Sequence, residues 1–183
     1  RETATMIPLI RAIEGFSTIV GYIGAAVMAP LIVSMVWEVV ARHAFAAPTY
    51  WAYEVGYMLA GTTYMFGMAY CLRVGGHVRV DFFYDQLGAK GKAVVDFLGY
   101  LILMLPISIW VTYGLYEYAW EAYDYNEVSG ESAWNPVIWP FRVVWVIGYV
   151  ALTLQGIAEL LKCTRTLMGM PPLDEPDFGE ARV

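Results

Sequence analysis

Four uncharged runs divide the chain, and their apolar character predicts membrane-spanning helices. A spanning helix needs about 20 largely apolar residues. The segments are apolar all round, whereas helices of a soluble core would carry polar stripes at helical spacing. The runs lie between Glu14 and Glu38, Glu54 and Arg73, Asp96 and Glu117, and Arg142 and Glu159, the last extended outward by Val137-Ile138-Trp139. The pattern predicts transmembrane helices at about 14–40, 51–72, 90–118 and 136–163.

Composition agrees with this pattern. The 183 residues are 59% hydrophobic and only 15% charged, whereas soluble domains carry about 25% charged residues. The predicted fold is therefore an all-α integral membrane protein with a single four-helix domain over residues 1–167. The segment 168–183 contains three prolines and several acids without apolar periodicity, so we expect a disordered tail.

Small residues recur on the first predicted helix at Gly21, Ala25 and Ala29. Small side chains let helices approach closely in lipid, where packing drives association. We therefore expect these three residues to form a docking face. Pro30 and Pro106 are expected to bend the first and third helices, because proline removes a backbone hydrogen bond.

The stretch 73–92 is the only long polar, basic connector in the chain. Asp81 can cap a short helix by accepting hydrogen bonds from free backbone N–H groups. We predict a two-turn interfacial helix between helices 2 and 3 that lies in the headgroup plane and ends at Gly88. Arg79 is expected to contact lipid phosphate or a partner carbonyl, although the connector is also explained by the rule that basic loops stay inside.

Nine of the eleven Lys and Arg residues fall in the N-terminal lead, in this connector and in the C-terminal region from Lys162 onward. Basic residues concentrate on the cytoplasmic side of membrane proteins, so both termini are predicted to be cytoplasmic. The loop 119–136 then faces outward. Its acids are Glu121, Asp124, Glu127 and Glu131, and it contains no basic residue. Two interpretations stay open, a solvated acidic loop and a surface that attracts a basic partner.

Residues that would carry catalysis are missing from the sequence. The two histidines, His43 and His77, are predicted on opposite sides of the membrane, and no Cys or His pair has zinc spacing. No glycine-rich phosphate loop precedes a helix. We therefore expect no enzyme activity, catalytic residue, cofactor, metal or nucleic-acid partner.

Ionisable residues near the predicted membrane boundaries have structural explanations. Glu38 can reach water at the outer interface, and Glu54 gains from the positive end of the second helix. Arg142 could pair with either of these acids. None lies at mid-membrane, and no interrupted helix resembles the sites of secondary transporters. The chain is therefore predicted to be a helper bundle that binds a larger partner.

Several of these features together resemble a known family. They are the order of four helices, Trp51 with Glu54, the segment from Glu38 to Arg42, the stretch Pro140–Gln155 and the connector Gly76-His77-Val78-Arg79-Val80-Asp81. In these respects the chain is similar to the small membrane subunit (DctQ-type) of tripartite ATP-independent periplasmic (TRAP) transporters, over roughly residues 14–165.

The resemblance implies a non-catalytic scaffold subunit in the bacterial inner membrane, with loop 119–136 in the periplasm. It also implies a large membrane subunit that carries the substrate and sodium sites, and a periplasmic substrate-binding protein that delivers an organic acid. Membrane lipid is a further expected partner. The candidate interface residues are Gly21, Ala25, Ala29, Trp51, Glu54, Gly76, His77, Arg79, Asp81, Glu121, Asp124, Glu127 and Glu131.

Two other functions compete with this hypothesis. A site-free helix bundle could be a structural subunit of another membrane complex, either respiratory or photosynthetic. A small independent channel is disfavoured, because it would need polar residues at mid-membrane.

Overall fold

A computed structural model describes residues 2–76 and 87–170 of the chain. Among these residues the fold is entirely helical, apart from one isolated β-bridge. The helices are α1 (Glu2–Ala44), α2 (Ala52–Arg73), α3, which runs continuously through Ala89–Leu98, a π-helical segment Gly99–Met104 and Leu105–Asp124, and α4 (Trp139–Leu167). The predicted all-α class is therefore confirmed.

Three of the described helices are long and apolar enough to cross a membrane: Met6–Ala44 in α1, Lys90–Asp124 in α3 and Trp139–Leu167 in α4. The remaining helix, α2, has 22 residues, which corresponds to about 33 Å. Its length therefore suffices, but glycines, threonines and tyrosines replace aliphatic residues along it and lower its hydropathy.

The four helices do not share their contacts equally. Helix α4 contacts all three others, and α2 packs against both α1 and α4. Helix α3 packs on α4 and has no substantial contact with α1 or α2 in the described part of the chain. The bundle therefore has a three-helix centre with α3 attached at one edge.

Helix α1 buries one narrow seam. Its buried and half-buried positions alternate in spacing between three and four residues, which is the heptad pattern of a coiled-coil seam. The seam comprises Ile10, Ile13, Ser17, Val20, Gly24, Val27, Leu31, Ser34, Glu38 and Ala41, and Glu14, Thr18 and Gly21 beside it are also half-buried. The seam starts at Ile10 because Ile10 and Ile13 cluster with Ala158 of α4. This packing explains why α1 begins well before the predicted start near residue 14.

The three residues of the predicted docking face on α1 differ in burial, because their spacing does not follow this seam. Gly21 is half-buried and packs on Tyr70 of α2, whereas Ala25 and Ala29 are exposed. Four residues rotate a helix by about 400°, so a stripe of four-residue spacing drifts away from a heptad seam. Gly24, which the four-residue stripe omits, is the buried glycine, against Phe66.

Close packing between α2 and α4 depends on Gly148. A Cβ atom at this position would lie 2.8 Å from the Met65 carbonyl oxygen and 2.9 Å from its Cβ. The neighbouring core combines Ala69 and Ala151 with Phe66 and Val20. Small residues therefore bring these helices together, as is typical of helix packing in lipid.

Helix α3 is longer than predicted and has a π-helical segment just before Pro106. Proline lacks the N–H that would bond to the carbonyl four residues earlier, and π-helical turns accommodate such interruptions. Helix α1, in contrast, continues as α-helix through Pro30. At its other end α3 extends to Asp124, because Ala119 and Ala122 are buried, so the connection to α4 is residues 125–138 instead of 119–136.

The predicted interfacial helix, with His77, Arg79 and Asp81, lies outside the described residues except for Leu87 and Gly88 at its predicted end, and 171–183 of the predicted tail lies outside them as well. Gly76 is the last described residue before that gap. It follows Gly75, whose positive φ of 68° places it in the turn that ends α2.

Candidate functional site

The polar side chains gather at the two ends of the bundle. We name the end that carries residues 45–51 and 125–138 the loop end, and the opposite end the tail end. At the loop end, Arg142 is 3% exposed and forms a two-pronged ion pair with Glu127, at 2.6 Å and 2.7 Å. Its guanidinium also donates to the Tyr118 carbonyl oxygen at 3.1 Å and lies 3.4 Å from the Tyr118 ring centroid. Arg142 therefore joins α3, the following loop and α4.

The loop 125–138 is folded like a hairpin. Val128 and Val137 form an antiparallel bridge, the Ser129 N–H donates to the Pro136 carbonyl, and the Ile138 N–H donates to the Glu127 carbonyl, both at 3.0 Å. Asn126, Gly130 and Asn135 have positive φ angles, which asparagine and glycine tolerate best. This backbone pairing holds Glu127 in place for Arg142.

The tip of this loop closes over Glu54. The Ser132 hydroxyl donates to Glu54 Oε1, and the Trp134 N–H donates to the same hydroxyl at 3.1 Å. Glu54 is 0% exposed, and its other oxygen has no hydrogen-bond partner within the described part of the chain. Because it lies in the first turn of α2, the helix dipole stabilises its charge.

Glu38 fixes the shorter loop at the same end. One carboxylate oxygen accepts from Arg42 at 2.5 Å and 3.0 Å, and the other accepts from the Thr49 N–H at 3.0 Å and from the Thr49 hydroxyl. A glutamate four residues before an arginine is the favourable order on a helix. Glu38 therefore stabilises the loop between α1 and α2, which is a structural role beyond the predicted contact with water.

The predicted pairing of Arg142 with Glu38 or Glu54 is wrong. Glu38 is held by Arg42 and Thr49, Glu54 by Ser132, and Arg142 by Glu127. The signal that sequence reasoning missed is the fold of loop 125–138, which returns Glu127 to the start of α4.

A second polar network crosses the tail end. Lys162 bridges Glu14 of α1 at 2.5 Å and Glu159 of its own helix at 2.9 Å, and the fully buried Gln155 donates to Glu159 at 2.8 Å. The Thr18 hydroxyl donates to the Glu14 carbonyl at 2.6 Å and accepts from Arg73 of α2. The network ties three helices together. The Gln155-Glu159-Lys162 spacing is visible in the sequence, but the partner on α1 is not.

The candidate interface residues within the described ranges differ in how far they are buried. Gly21 packs on Tyr70 and Glu54 accepts from Ser132, so both are used within the chain, whereas Trp51 is half-buried and Gly76 is exposed at the end of the described segment. The remaining described candidates are exposed: Ala25, Ala29, Glu121, Asp124, Glu127 and Glu131. Of these four acids, Glu127 is 46% exposed and compensated by Arg142.

Large apolar surfaces remain uncovered on α1 and α3. Outside its seam, α1 exposes aliphatic side chains such as Ile32, Val33, Val36 and Val40 together with the small Ala29. The exposed side of α3 is bulkier, with Leu101, Ile102, Leu103, Ile107 and Trp110. No group of His, Cys, Asp and Glu in the described ranges is arranged to hold a metal ion.

These features were compared with known proteins. The family profile for tripartite ATP-independent periplasmic transporters, DctQ component, matches residues 31–166. A search of curated proteins gave no significant match. The matched region begins within α1 and ends one residue before the end of α4, so it includes the Glu38–Arg42 pair, both loops and the Arg142–Glu127 pair. The chain therefore belongs to the DctQ family, a membrane component of TRAP transporters.

Proposed function

We propose that the chain is the non-catalytic scaffold subunit of its transporter and that it anchors a large membrane subunit. The observation that carries this proposal is the exposure of α1, which buries one heptad seam while the rest of a long apolar helix stays uncovered. Membership of the DctQ family supports a transport complex over a respiratory or photosynthetic one.

The docking face that we propose lies on α1 opposite its seam. Ala25 and Ala29 are exposed there, and small residues allow a partner helix to approach closely. The exposed face of α3 offers bulky side chains instead. We therefore assign the large subunit to α1 and not to α3.

Within this proposal the chain does not form the transport path. Charged side chains at both ends of the bundle, such as Arg142 with Glu127 and Lys162 with Glu14, are engaged in holding helices or loops together. Sodium coupling and an organic acid substrate remain proposals that follow from the family resemblance, and they would be properties of the large subunit.

We further propose that all four helices span the membrane, with α2 enclosed between α1 and α4. Enclosure allows α2 to carry threonines at this depth. The hydroxyls of Thr62 and Thr63 also donate to carbonyls of their own helix, at 2.7 Å and 3.0 Å, so their hydrogen-bonding capacity is used within α2. An even number of spans would put both termini on one side, and the concentration of basic residues favours the cytoplasm for that side. The loop end then lies in the periplasm, where Glu121, Asp124 and Glu131 are available to the binding protein.

The function is tested by preparing the large subunit with and without this chain. Thermal unfolding in detergent and uptake into proteoliposomes, with the binding protein added, are measured for both preparations. We expect the large subunit alone to unfold at lower temperature and to lose uptake. Equal stability and equal uptake without this chain would contradict the scaffold role.

A further inference from the structure

A groove of about 400 Å³ lies between α3 and α4, mostly in the half of each helix nearer the loop end. Its lining residues extend over about 10 Å of each helix. They are Ile109, Thr112, Tyr113, Tyr116, Val146, Val150, Thr153 and Leu154. The groove exists because α3 packs on α4 alone, so no third described helix covers the crossing.

The groove is apolar although it contains two threonines. The Thr112 hydroxyl donates to the Ser108 carbonyl at 2.6 Å, and the Thr153 hydroxyl donates to the Tyr149 carbonyl at 2.8 Å. Both hydroxyl protons are therefore used within their own helices, and an occupant would meet methyl, aliphatic and aromatic groups. Such a lining suits a hydrocarbon.

The lining disfavours a helix as the occupant. It contains no glycine or alanine, whereas helices approach closely in lipid over small residues. The glycine of this segment, Gly114, is not part of the lining, and a Cβ atom added to it would have no atom within 4 Å. A flexible acyl chain fits between β-branched and aromatic side chains without needing close backbone approach.

The end of the groove nearest the loop end is acidic. Glu117 lies one helical turn after Tyr113 of the lining on α3, and Glu117 and Glu121 are both exposed. Helix α3 has no basic residue after Lys92. On α4, the basic side chain near this end is Arg142, which is buried and bonded to Glu127. A headgroup at this position would meet negative charge.

We propose that the groove binds one acyl chain of a phospholipid that carries an ammonium headgroup, of the phosphatidylethanolamine kind, from the leaflet at the loop end. The hydrocarbon lies along Val146 and Val150, and the ammonium group donates to Glu117. Hydrogen bonds of an ammonium to a carboxylate are stronger than neutral ones. An anionic lipid such as phosphatidylglycerol lacks that donor and is repelled.

Photolabelling of the unmodified chain in nanodiscs tests this proposal. Phosphatidylethanolamine and phosphatidylglycerol, each with a diazirine in the acyl chain, are compared at equal concentration. We expect labels to concentrate on residues 109–116 and 146–154, with about threefold more labelling by the ethanolamine lipid, the preference that one exposed ion pair provides. Labels spread evenly over the exposed face of α1 would overturn the groove, and equal labelling by both lipids would overturn the headgroup contact.

Two variants separate the parts of the site. Val150→Trp fills the groove and is expected to abolish labelling there, while Ile107→Trp, on an exposed α3 position outside the lining, keeps it. Glu117→Gln is expected to remove the headgroup preference but not the labelling. Unchanged labelling in properly folded Val150→Trp would overturn the proposal.

A milder substitution keeps the test independent of whether the tryptophan variant folds. Val150→Cys, in a background without Cys71 and Cys163, introduces a thiol into the groove that a crosslinker can reach. We expect this thiol to crosslink to a lipid that carries a reactive acyl chain. Crosslinking to another protein subunit in place of lipid would overturn the proposal.

Discussion

At the scale of single residues, Arg142 and Glu127 form a pair whose two members differ in their access to water. Arg142 is 3% exposed and Glu127 is 46% exposed. Removing one partner of a buried ion pair is costly because the other charge is left uncompensated. The cost should therefore depend strongly on which partner is removed.

We expect Glu127→Ala to destabilise the chain more than Arg142→Met. The first change leaves a buried guanidinium with only the Tyr118 carbonyl and ring, at a cost of about 2–3 kcal/mol. The second leaves a carboxylate that water can reach and removes the ring contact, at about 1 kcal/mol. Thermal unfolding in detergent, with the double variant to close the cycle, measures both costs.

Glu131→Ala is the matched control, because Glu131 is an exposed acid in the same loop. It should leave the unfolding temperature unchanged. A larger loss of stability in Arg142→Met than in Glu127→Ala would contradict this account of the pair.

At the scale of elements, the sequence predicts the helices better than their faces. Uncharged runs locate each helix, because lipid demands long apolar segments. They do not locate its ends, since Ile10 continues the seam of α1 and Ala122 continues α3 beyond the apolar stretch. The four-residue stripe from Gly21 to Ala29 also does not reveal which residues are buried, because burial on α1 follows a heptad seam.

The α2–α4 contact gives a sharp test of close packing. Gly148→Ala places a Cβ atom 2.8 Å from the Met65 carbonyl oxygen, so one helix must shift. We expect a loss of about 1–3 kcal/mol, as for overpacked cores. Thermal unfolding in detergent measures it.

Gly114→Ala is the control, because no atom lies within 4 Å of the added Cβ at that site. Alanine has higher helix propensity than glycine, so this variant should be unchanged or more stable by up to about 1 kcal/mol. Equal destabilisation by both substitutions would show that helix packing at Gly148 is not what limits stability.

At the scale of the whole molecule, α4 holds the other helices together, and α1 and α3 keep uncovered apolar surfaces. The sequence indicates a bundle without a catalytic site. It cannot indicate that, within the described residues, α3 packs on α4 and not on α1 or α2, because that depends on which helices pair. The same limit explains why the sequence alone groups Glu127 with the free acids of the loop.

The arrangement of α2 in the membrane can be measured directly. In a background without Cys71 and Cys163, an impermeant maleimide should label Ala47→Cys from the periplasmic side. Val74→Cys and Met168→Cys should react only when the cytoplasmic side is accessible. Labelling of Ala47→Cys and Val74→Cys from the same side would mean that α2 does not span.

The negative charge of the loop end should affect mainly the rate at which the binding protein associates with the membrane complex. Neutralising Glu121, Asp124 and Glu131 to Gln or Asn is expected to slow association of the binding protein with the membrane complex about threefold at low salt. The effect should shrink at physiological salt, where exposed charges are screened beyond about 8 Å. Stopped-flow association rates at two ionic strengths measure this.

Glu127→Gln is the comparison for that experiment, because it removes one negative charge from the loop end, whereas the triple variant removes three. Its association rate should stay closer to the wild-type rate at low salt than that of the triple variant, while its stability falls. If the triple variant associates at the wild-type rate in low salt, the docking role is contradicted, and the remaining interpretation is a solvated acidic loop.

Co-purification of the large membrane subunit tests the scaffold role most directly. Affinity-tagged chain is isolated in mild detergent as wild type, as Ala29→Trp on the proposed docking face, and as Ile107→Trp on exposed α3. We predict that wild type and Ile107→Trp retain the large subunit, and that folded Ala29→Trp loses it because the indole holds the partner helix away. Equal recovery of the large subunit with Ala29→Trp and with wild type, or no recovery with wild type, would contradict this account.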